Sequence, residues 1–417
     1  MPVKALVITS TVPPVQGRDV EGYYKRLSLL MRAVGAVADQ VDTVHFVPDQ
    51  VVAANADAGQ LNRSQERYWG FPVSAHLIVR GDRGKSFADY YLKGVLSAAE
   101  QPPFYGVAGE SQRAALAALL GRHHDLVLVH RMVAMCAYLA TGHRGDNVVF
   151  DLDDVEHRVR LRASLKPPVQ PGKLLALSHV PAIYVAERRG AARSQLTFVC
   201  SEADRRKLRR LGVRGVAVVP NAVHVPAAPP PLTREPTLLY LGDYGYEPNR
   251  EAAERAATRI LPLVRRVVPE ARLLLGGKRP ERLSRAAAAE PGVECLGFVD
   301  DIADVYARGR IVCCPLLNGG GTRVKLVEAA AYRKPIVSTR VGAEGLDFVD
   351  GEAILLADDD DAIAAACARL LGDDAACERI GEAARQRARR EYEAGEIEGR
   401  IAGLLRGVIA HAVEHVR

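Results

Sequence analysis

The sequence predicts an α/β protein built from two doubly wound, parallel-sheet domains. Three observations predict it. The 417 residues exceed what one hydrophobic core usually serves, so two domains are expected. An apolar strand, a glycine-bearing loop and a helix follow one another at the N-terminus, again after residue 237, and again after residue 311. Between the first of these and the other two lies a proline-rich connector, AVHVPAAPPPLTREP, which reads as stiff and extended.

Composition narrows the class. Hydrophobic residues make up 48% and charged residues 25%, the balance of a soluble globular protein. There is no uncharged apolar run approaching the ~20 residues that a spanning helix needs. MPVKALVITSTVPP reads as a first strand and not as a secretory signal, so a cytoplasmic location is expected. Seven cysteines without C-x-x-C spacing fit reduced, buried thiols better than disulfides or a zinc site. A net charge of +6 suits an anionic nucleotide substrate or an anionic membrane surface and does not argue for nucleic acid.

In chain order, Lys4 to Thr9 is a short apolar strand, and Gly17 sits in the loop before a helix with Leu27, Leu30, Met31 and Val34 at helical spacing. Val41 to Val47 is a second strand. Residues 50–110 mix aromatic and basic residues with turns and give no clear period. Glu110 to Arg122 is an alanine- and leucine-rich helix. Asp125 to His130 is then a buried strand ending in a histidine, and open α/β sheets place ligands at such strand ends. A satisfied core histidine is the other reading of His130. Val148 to Asp151 is a strand running into DLDDVEHRVRLR, where Asp151, Asp154 and His157 are further candidates. The D-x-D-D string could suit magnesium or manganese, or face a loop or a second substrate.

SEADRRKLRRLG opens with a Ser-x-x-Asp capping signature and carries five basic residues, a solvated face or alternatively a docking surface for anionic lipid. Beyond the connector, Thr237 to Leu241 starts a second sheet, and Gly242-Asp243 opens a glycine loop before a long helix, Arg250 to Val268. Ala271 to Leu275 and Val293 to Val299 are the next strands, the latter with Phe298 at its turn. Ile311 to Cys314 is too short and apolar for anything but a buried strand. It leads through Asn318-Gly319-Gly320-Gly321-Thr322 into RVKLVEAAAY, whose Val324, Leu326, Val327, Ala330 and Ala331 make a helical apolar face. Glycines permit close approach of a ligand to backbone, and the first helical turn offers unpaired N–H groups that favour phosphate. Arg323 and Lys325 add two charges there. Ala362 to Leu371, Ala375 to Tyr392 and the amphipathic segment EIEGRIAGLLRGVIAHAVEHV close the chain as helices.

GGGTRVKLVEAAAYRKPIVSTRVGAEGL resembles the nucleotide-sugar-binding segment of family-4, retaining glycosyltransferases (glycosyl transferases group 1), with the pattern G-x-G-x-R-x-K-x-x-E-A before P-[IV]-V-x-T. The resemblance implies the GT-B fold: two Rossmann-like domains facing a cleft. It implies that Gly319, Gly320, Gly321 and Thr322 cradle a donor diphosphate, that Arg323 and Lys325 neutralise it, and that Glu328 holds the ribose hydroxyls. Many members carry a further glutamate for the sugar at the position that is Gly320 here. The resemblance also implies that Gly17, Gly242 and Asp243 lie against the donor, that backbone near Phe298 holds the base, and that His130 contacts the sugar. Acceptor contacts would come from Arg80, Lys85, Tyr90 and Tyr91. No metal or other cofactor is implied.

The expected layout is an acceptor-binding domain at residues 1–222, a linker at 223–236, a nucleotide-sugar-binding domain at 237–392, and a last helix, 393–417, crossing back onto the first domain. The function so implied is transfer of a sugar from a nucleotide-sugar donor to an acceptor hydroxyl, with retention, in polysaccharide, glycolipid or secondary-metabolite glycosylation. The acceptor would be a saccharide, a lipid-linked saccharide or a small molecule, with peripheral contact to an anionic membrane at the inner face as an option. A nucleotide-sugar epimerase of the same shape and a non-catalytic nucleotide-binding module are the alternatives.

Overall fold

A computed structural model describes residues 2–12, 22–55, 57–81, 105–165, 171–299, 301–319 and 323–416. Gly17, Lys85, Tyr90, Tyr91, Gly320, Gly321 and Thr322 fall outside these residues. The chain divides into two compact units, one formed by residues 1–220 with 396–417 and the other by residues 221–395.

The first unit holds a seven-stranded, all-parallel sheet: β1 (Lys4–Thr9), β2 (Gln40–Val47), β3 (Val73–Val79), β4 (Leu126–His130), β5 (Val148–Asp153), β6 (Leu196–Val199) and β7 (Val216–Val218). Their order is β3-β2-β1-β4-β5-β6-β7. The strands are nearly continuous apolar runs because helices cover both faces; Leu6, Ile8, Val127, Val129, Val148 and Phe150 are all buried. β3 and the two helices before it, Asp49–Ala54 and Ala58–Trp69, occupy the stretch that showed no clear period. The helix Ala394–Val416 returns to this unit after its first two residues. Glu398 on it accepts from Arg32 at 2.5 Å, and Arg400 donates to the Val218 carbonyl at 2.9 Å.

The second unit carries six parallel strands: β8 (Thr237–Asp243), β9 (Arg272–Lys278), β10 (Val293–Gly297), β11 (Ile311–Cys314), β12 (Ile336–Ser338) and β13 (Leu355–Leu356). They lie in the order β10-β9-β8-β11-β12-β13. The helix expected over 250–268 begins earlier, as Glu247–Arg255, passes through a wider π turn at Ala256–Ile260, and resumes as Leu261–Arg265. Pro262 explains the break: it has no N–H to donate back one turn, so the regular ladder cannot run through it.

Both sheets grow in two directions from their first strand. The order reverses between β1 and β4 in one unit and between β8 and β11 in the other, and such switch points open a crevice at the carboxyl ends of the strands. Among the described residues no helix is long and apolar enough to cross a membrane.

Candidate functional site

The second unit's switch point is built around two glycines. Gly277 at the end of β9 has φ 135°, and a Cβ there would stand 1.8 Å from the Gly242 carbonyl oxygen. Only glycine lets the ends of β8 and β9 meet so closely. Gly242 in turn lies under Asn249, whose side chain a Cβ on Gly242 would meet at 3.2 Å. Asn249 donates to the Asp243 carbonyl at 3.1 Å and accepts from Tyr240 at 3.2 Å.

Asn249 Oδ1 also accepts from Lys325 Nζ at 2.8 Å. The same ammonium donates to the Tyr240 hydroxyl at 3.1 Å and lies 4.3 Å from the centre of that ring. An ammonium over a buried aromatic face is held by the ring quadrupole as well as by its hydrogen bonds. Burial, with the Arg323 charge beside it, pulls the Lys325 amine down to about 8. Arg323 precedes the helix Val324–Ala331, and its guanidinium packs on Gly319, where a Cβ would come within 2.7 Å of Nη2. Two cations therefore flank the first turn of a helix at the carboxyl ends of β8 and β11, an arrangement that favours an anion. Glu328 stands one turn further along that helix, half-buried.

A third cation is present that sequence reasoning missed. Arg279, with φ 58°, donates to Asp243 Oδ1 from Nε at 2.8 Å. Its guanidinium covers Gly245, where a Cβ would be 2.2 Å from Cζ. Partial burial opposes the Asp243 charge, but hydrogen bonds from Arg279 and the Gly245 N–H outweigh it and hold the carboxyl below its ordinary value. The only cue in the sequence is position, directly beyond the Gly276-Gly277 strand end. Lys278 lies 5.8 Å from the centre of the Phe298 ring, which is 46% exposed.

At the first unit's switch point Thr9, His130 and Asp151 stand in register across β1, β4 and β5. His130 is fully buried. Its Nδ1 meets Thr9 Oγ1 at 3.0 Å, and Thr9 Oγ1 also accepts from the Thr11 N–H at 3.1 Å. His130 Nε2 has no hydrogen-bond partner among the described residues and lies 3.8 Å from Asp151 Oδ2, beyond hydrogen-bond reach. Burial and the neighbouring Arg131 push the imidazole down to about 3. Asp151 is taken up by Arg26, which donates to it from Nε at 3.2 Å and from Nη2 at 2.5 Å, and to the Val219 carbonyl from Nη1 at 2.6 Å.

Next along the same rim, Arg131 and Asp153 both have left-handed backbone, φ 71° and 59°, a conformation uncommon outside glycine, though less so for Asp than for Arg. Arg131 Nε lies 3.6 Å from Asp153 Oδ2, and the Cys200 thiol donates to Asp153 Oδ1 at 3.1 Å. Asp154 is half-buried beside them. His157 is engaged elsewhere: its N–H donates to Glu187 Oε1 at 3.0 Å and its Nδ1 pairs with Glu187 Oε2. Arg80 donates to the Phe46 and Ser10 carbonyls at 2.9 and 2.6 Å, close to the end of β1. Among the described residues no cluster of three or more His, Cys, Asp or Glu is arranged to hold a metal ion.

Residues 235–373 match the family model of glycosyl transferases group 1. A phosphatidyl-myo-inositol mannosyltransferase of Mycolicibacterium smegmatis (strain ATCC 700084 / mc(2)155) is 32% identical over 184 residues, 41% of this chain and 47% of that protein. Its counterpart from Mycobacterium leprae (strain TN) is 30% identical over 200 residues, 45% of this chain and 52% of the other. The chain thus spans about half the length of the curated relatives it matches. Among solved structures, the sucrose-phosphate synthase of Thermosynechococcus elongatus superposes with a TM-score of 0.66 at 17% identity, covering 98% of this chain and 100% of that one. HepE of Anabaena, solved in complex with UDP, gives 0.63 at 14% identity over 97% of this chain and 100% of its own. Residues 235–373 are therefore a glycosyl transferases group 1 domain, set in a chain that has the GT-B fold.

Proposed function

We propose that this protein transfers a sugar from a nucleotide-sugar donor to an acceptor hydroxyl, with retention of configuration. The observation that carries the reading is the Lys325 ammonium fixed by Asn249 and Tyr240 at the head of the helix Val324–Ala331. A cation fixed before reaction stabilises negative charge growing on a leaving diphosphate without having to reorganise. Arg323 on Gly319 supplies a second fixed charge. Two cations and a helix terminus carry the neutralising role that a divalent ion plays in other transferases, so a chelator should leave transfer unchanged. The second unit holds the donor and the first unit holds the acceptor.

The test is a transfer assay with a panel of donors. It includes UDP-glucose, because HepE is solved with it, and a mannosyl donor with phosphatidylinositol as acceptor, because the curated relatives are named for that transfer. Product that forms only when an acceptor is present supports the reading. Interconversion of sugars without acceptor would favour an epimerase, and binding without turnover a non-catalytic module.

Glu328 is assigned to the donor ribose, since a carboxylate accepts two hydroxyl hydrogen bonds. Glu328→Ala should weaken nucleoside diphosphate binding by about 1.5–3 kcal/mol, the scale of hydrogen bonds to a charged group. Calorimetric titration with UDP and GDP measures it. Equal affinity in variant and parent removes Glu328 from the site.

A further inference from the structure

We propose that Arg26 is a positioning residue for His130: by occupying Asp151, it denies the imidazole a counter-ion and keeps His130 neutral, with its proton on Nε2. The geometry points to this from three sides. Among the described residues Asp151 is the nearest carboxylate to His130 Nε2, at 3.8 Å, and the side chains of Arg26 and Asp151 are both fully buried. Among the described residues, the hydrogen bonds to the Asp151 carboxylate come from the Arg26 fork. On the opposite edge of the ring, Thr9 Oγ1 receives the Thr11 N–H and keeps its own proton for His130 Nδ1, and the proposal takes this direction, with the ring proton on Nε2.

The charged groups around the imidazole come from three elements. Arg131 follows it in the chain, Asp151 and Asp153 face it from β5, and Arg26 faces it from the helix Gly22–Gly35; Thr9 on β1 is uncharged. Two cations and burial oppose a proton on the ring, Asp153 favours one, and Asp151 is already paired with Arg26. Removing the Arg26 charge shifts the balance, because one of the two repelling cations is gone and Asp151, the carboxyl beside Nε2, loses its partner. The chemical consequence rests on the glycosyl-transfer reading above. The sugar gains positive charge as the diphosphate leaves, and a neutral imidazole does not oppose that charge where an imidazolium would.

The experiment reads the imidazole itself. Nitrogen-15 histidine spectra of the full chain are recorded across about pH 5 to 8, and the His130 signals, among those of 11 histidines, are assigned by their loss in His130→Gln. In the parent they should stay flat, at the shifts of a neutral ring protonated on Nε2. In Arg26→Gln the ring should begin to titrate inside this window, its midpoint higher by about 2 pH units or more; Arg26→Lys, which restores a charge to Asp151, should return it towards the parent.

A folded Arg26→Gln protein whose His130 stays flat overturns the proposal. That variant leaves Asp151 buried without its cation, so the parent also decides alone: an imidazolium at pH 6, or a ring protonated on Nδ1, overturns the proposal without any variant. Turnover of Arg26→Gln should fall with acidity, following the new His130 midpoint, while nucleoside diphosphate affinity stays at the parental value. A parent with no transferase activity would refute the proposed reaction, and the spectra would still decide whether Arg26 sets the charge of His130.

Discussion

Lys325→Ala is expected to lower transfer by about 100-fold or more in turnover, the loss typical of removing one fixed donor to a developing negative charge, while donor affinity changes less. Binding of the ground-state diphosphate has other support, from the helix N–H groups and from Arg323 on Gly319. In the proposed transfer, the charge that grows as the anomeric bond breaks would be met by groups already in place, and the Lys325 ammonium is held in place by Asn249, the Tyr240 hydroxyl and the Tyr240 ring. Arg323→Ala should behave alike, and Arg323→Lys should still be costly because a point charge does not reproduce the planar fork.

The pH profile is a second test of Lys325. With the amine lowered to about 8 from an ordinary 10.5, Lys325 loses its proton as pH rises through 8, so transfer should decline there. Stability should run the other way. Between 8 and 10.5 the unfolded chain binds more protons at this site than the folded one, so folding becomes more favourable as pH rises across that window. Steady-state kinetics on Lys325→Ala and Arg323→Ala decide the matter. Near-parental turnover in both sinks the assignment, and a loss confined to affinity moves both residues to ground-state binding.

What the sequence reveals of this site follows the range of the interactions involved. Arg323, Lys325 and Glu328 share one loop and one helix, so a local pattern of glycines, charges and apolar spacing is enough to bring them together. Asn249 lies in a segment already set apart by its glycines and proline, yet its role depends on Lys325, 76 residues away. Arg279 reaches Asp243 across 36 residues, and no local period announces that. His130 is legible as a strand end because the apolar run before it is continuous, whereas Arg26 is indistinguishable in sequence from a solvated helix residue. Only the fold shows it fully buried against Asp151, 125 residues away. The same limit explains β3 and β13: one lies within a segment where aromatic and basic residues break the alternation, and the other is two residues long.

Asp151→Ala is expected to destabilise the first unit by about 3–5 kcal/mol, the cost of leaving one member of a buried ion pair without its partner. Among the described residues the Arg26 guanidinium would keep a single acceptor, the Val219 carbonyl, and its side chain has no exposure through which water could take over. The cavity left by so small a side chain accounts for much less than this, so the size of the effect separates an uncompensated charge from lost packing. Asp151→Asn retains the shape and one acceptor oxygen and should fall between variant and parent. Replacing the pair together, as Arg26→Met with Asp151→Leu, should recover most of the loss, because neither charge is then buried alone. The chain offers a convenient probe: its only tryptophan, Trp69, is buried in the first unit, so its fluorescence during urea unfolding reports on that unit alone even if the two units unfold separately. A loss below about 1 kcal/mol for Asp151→Ala, or a double variant no more stable than the single one, would show that Arg26 finds other compensation and that the pair does not hold the rim of β4 and β5 together.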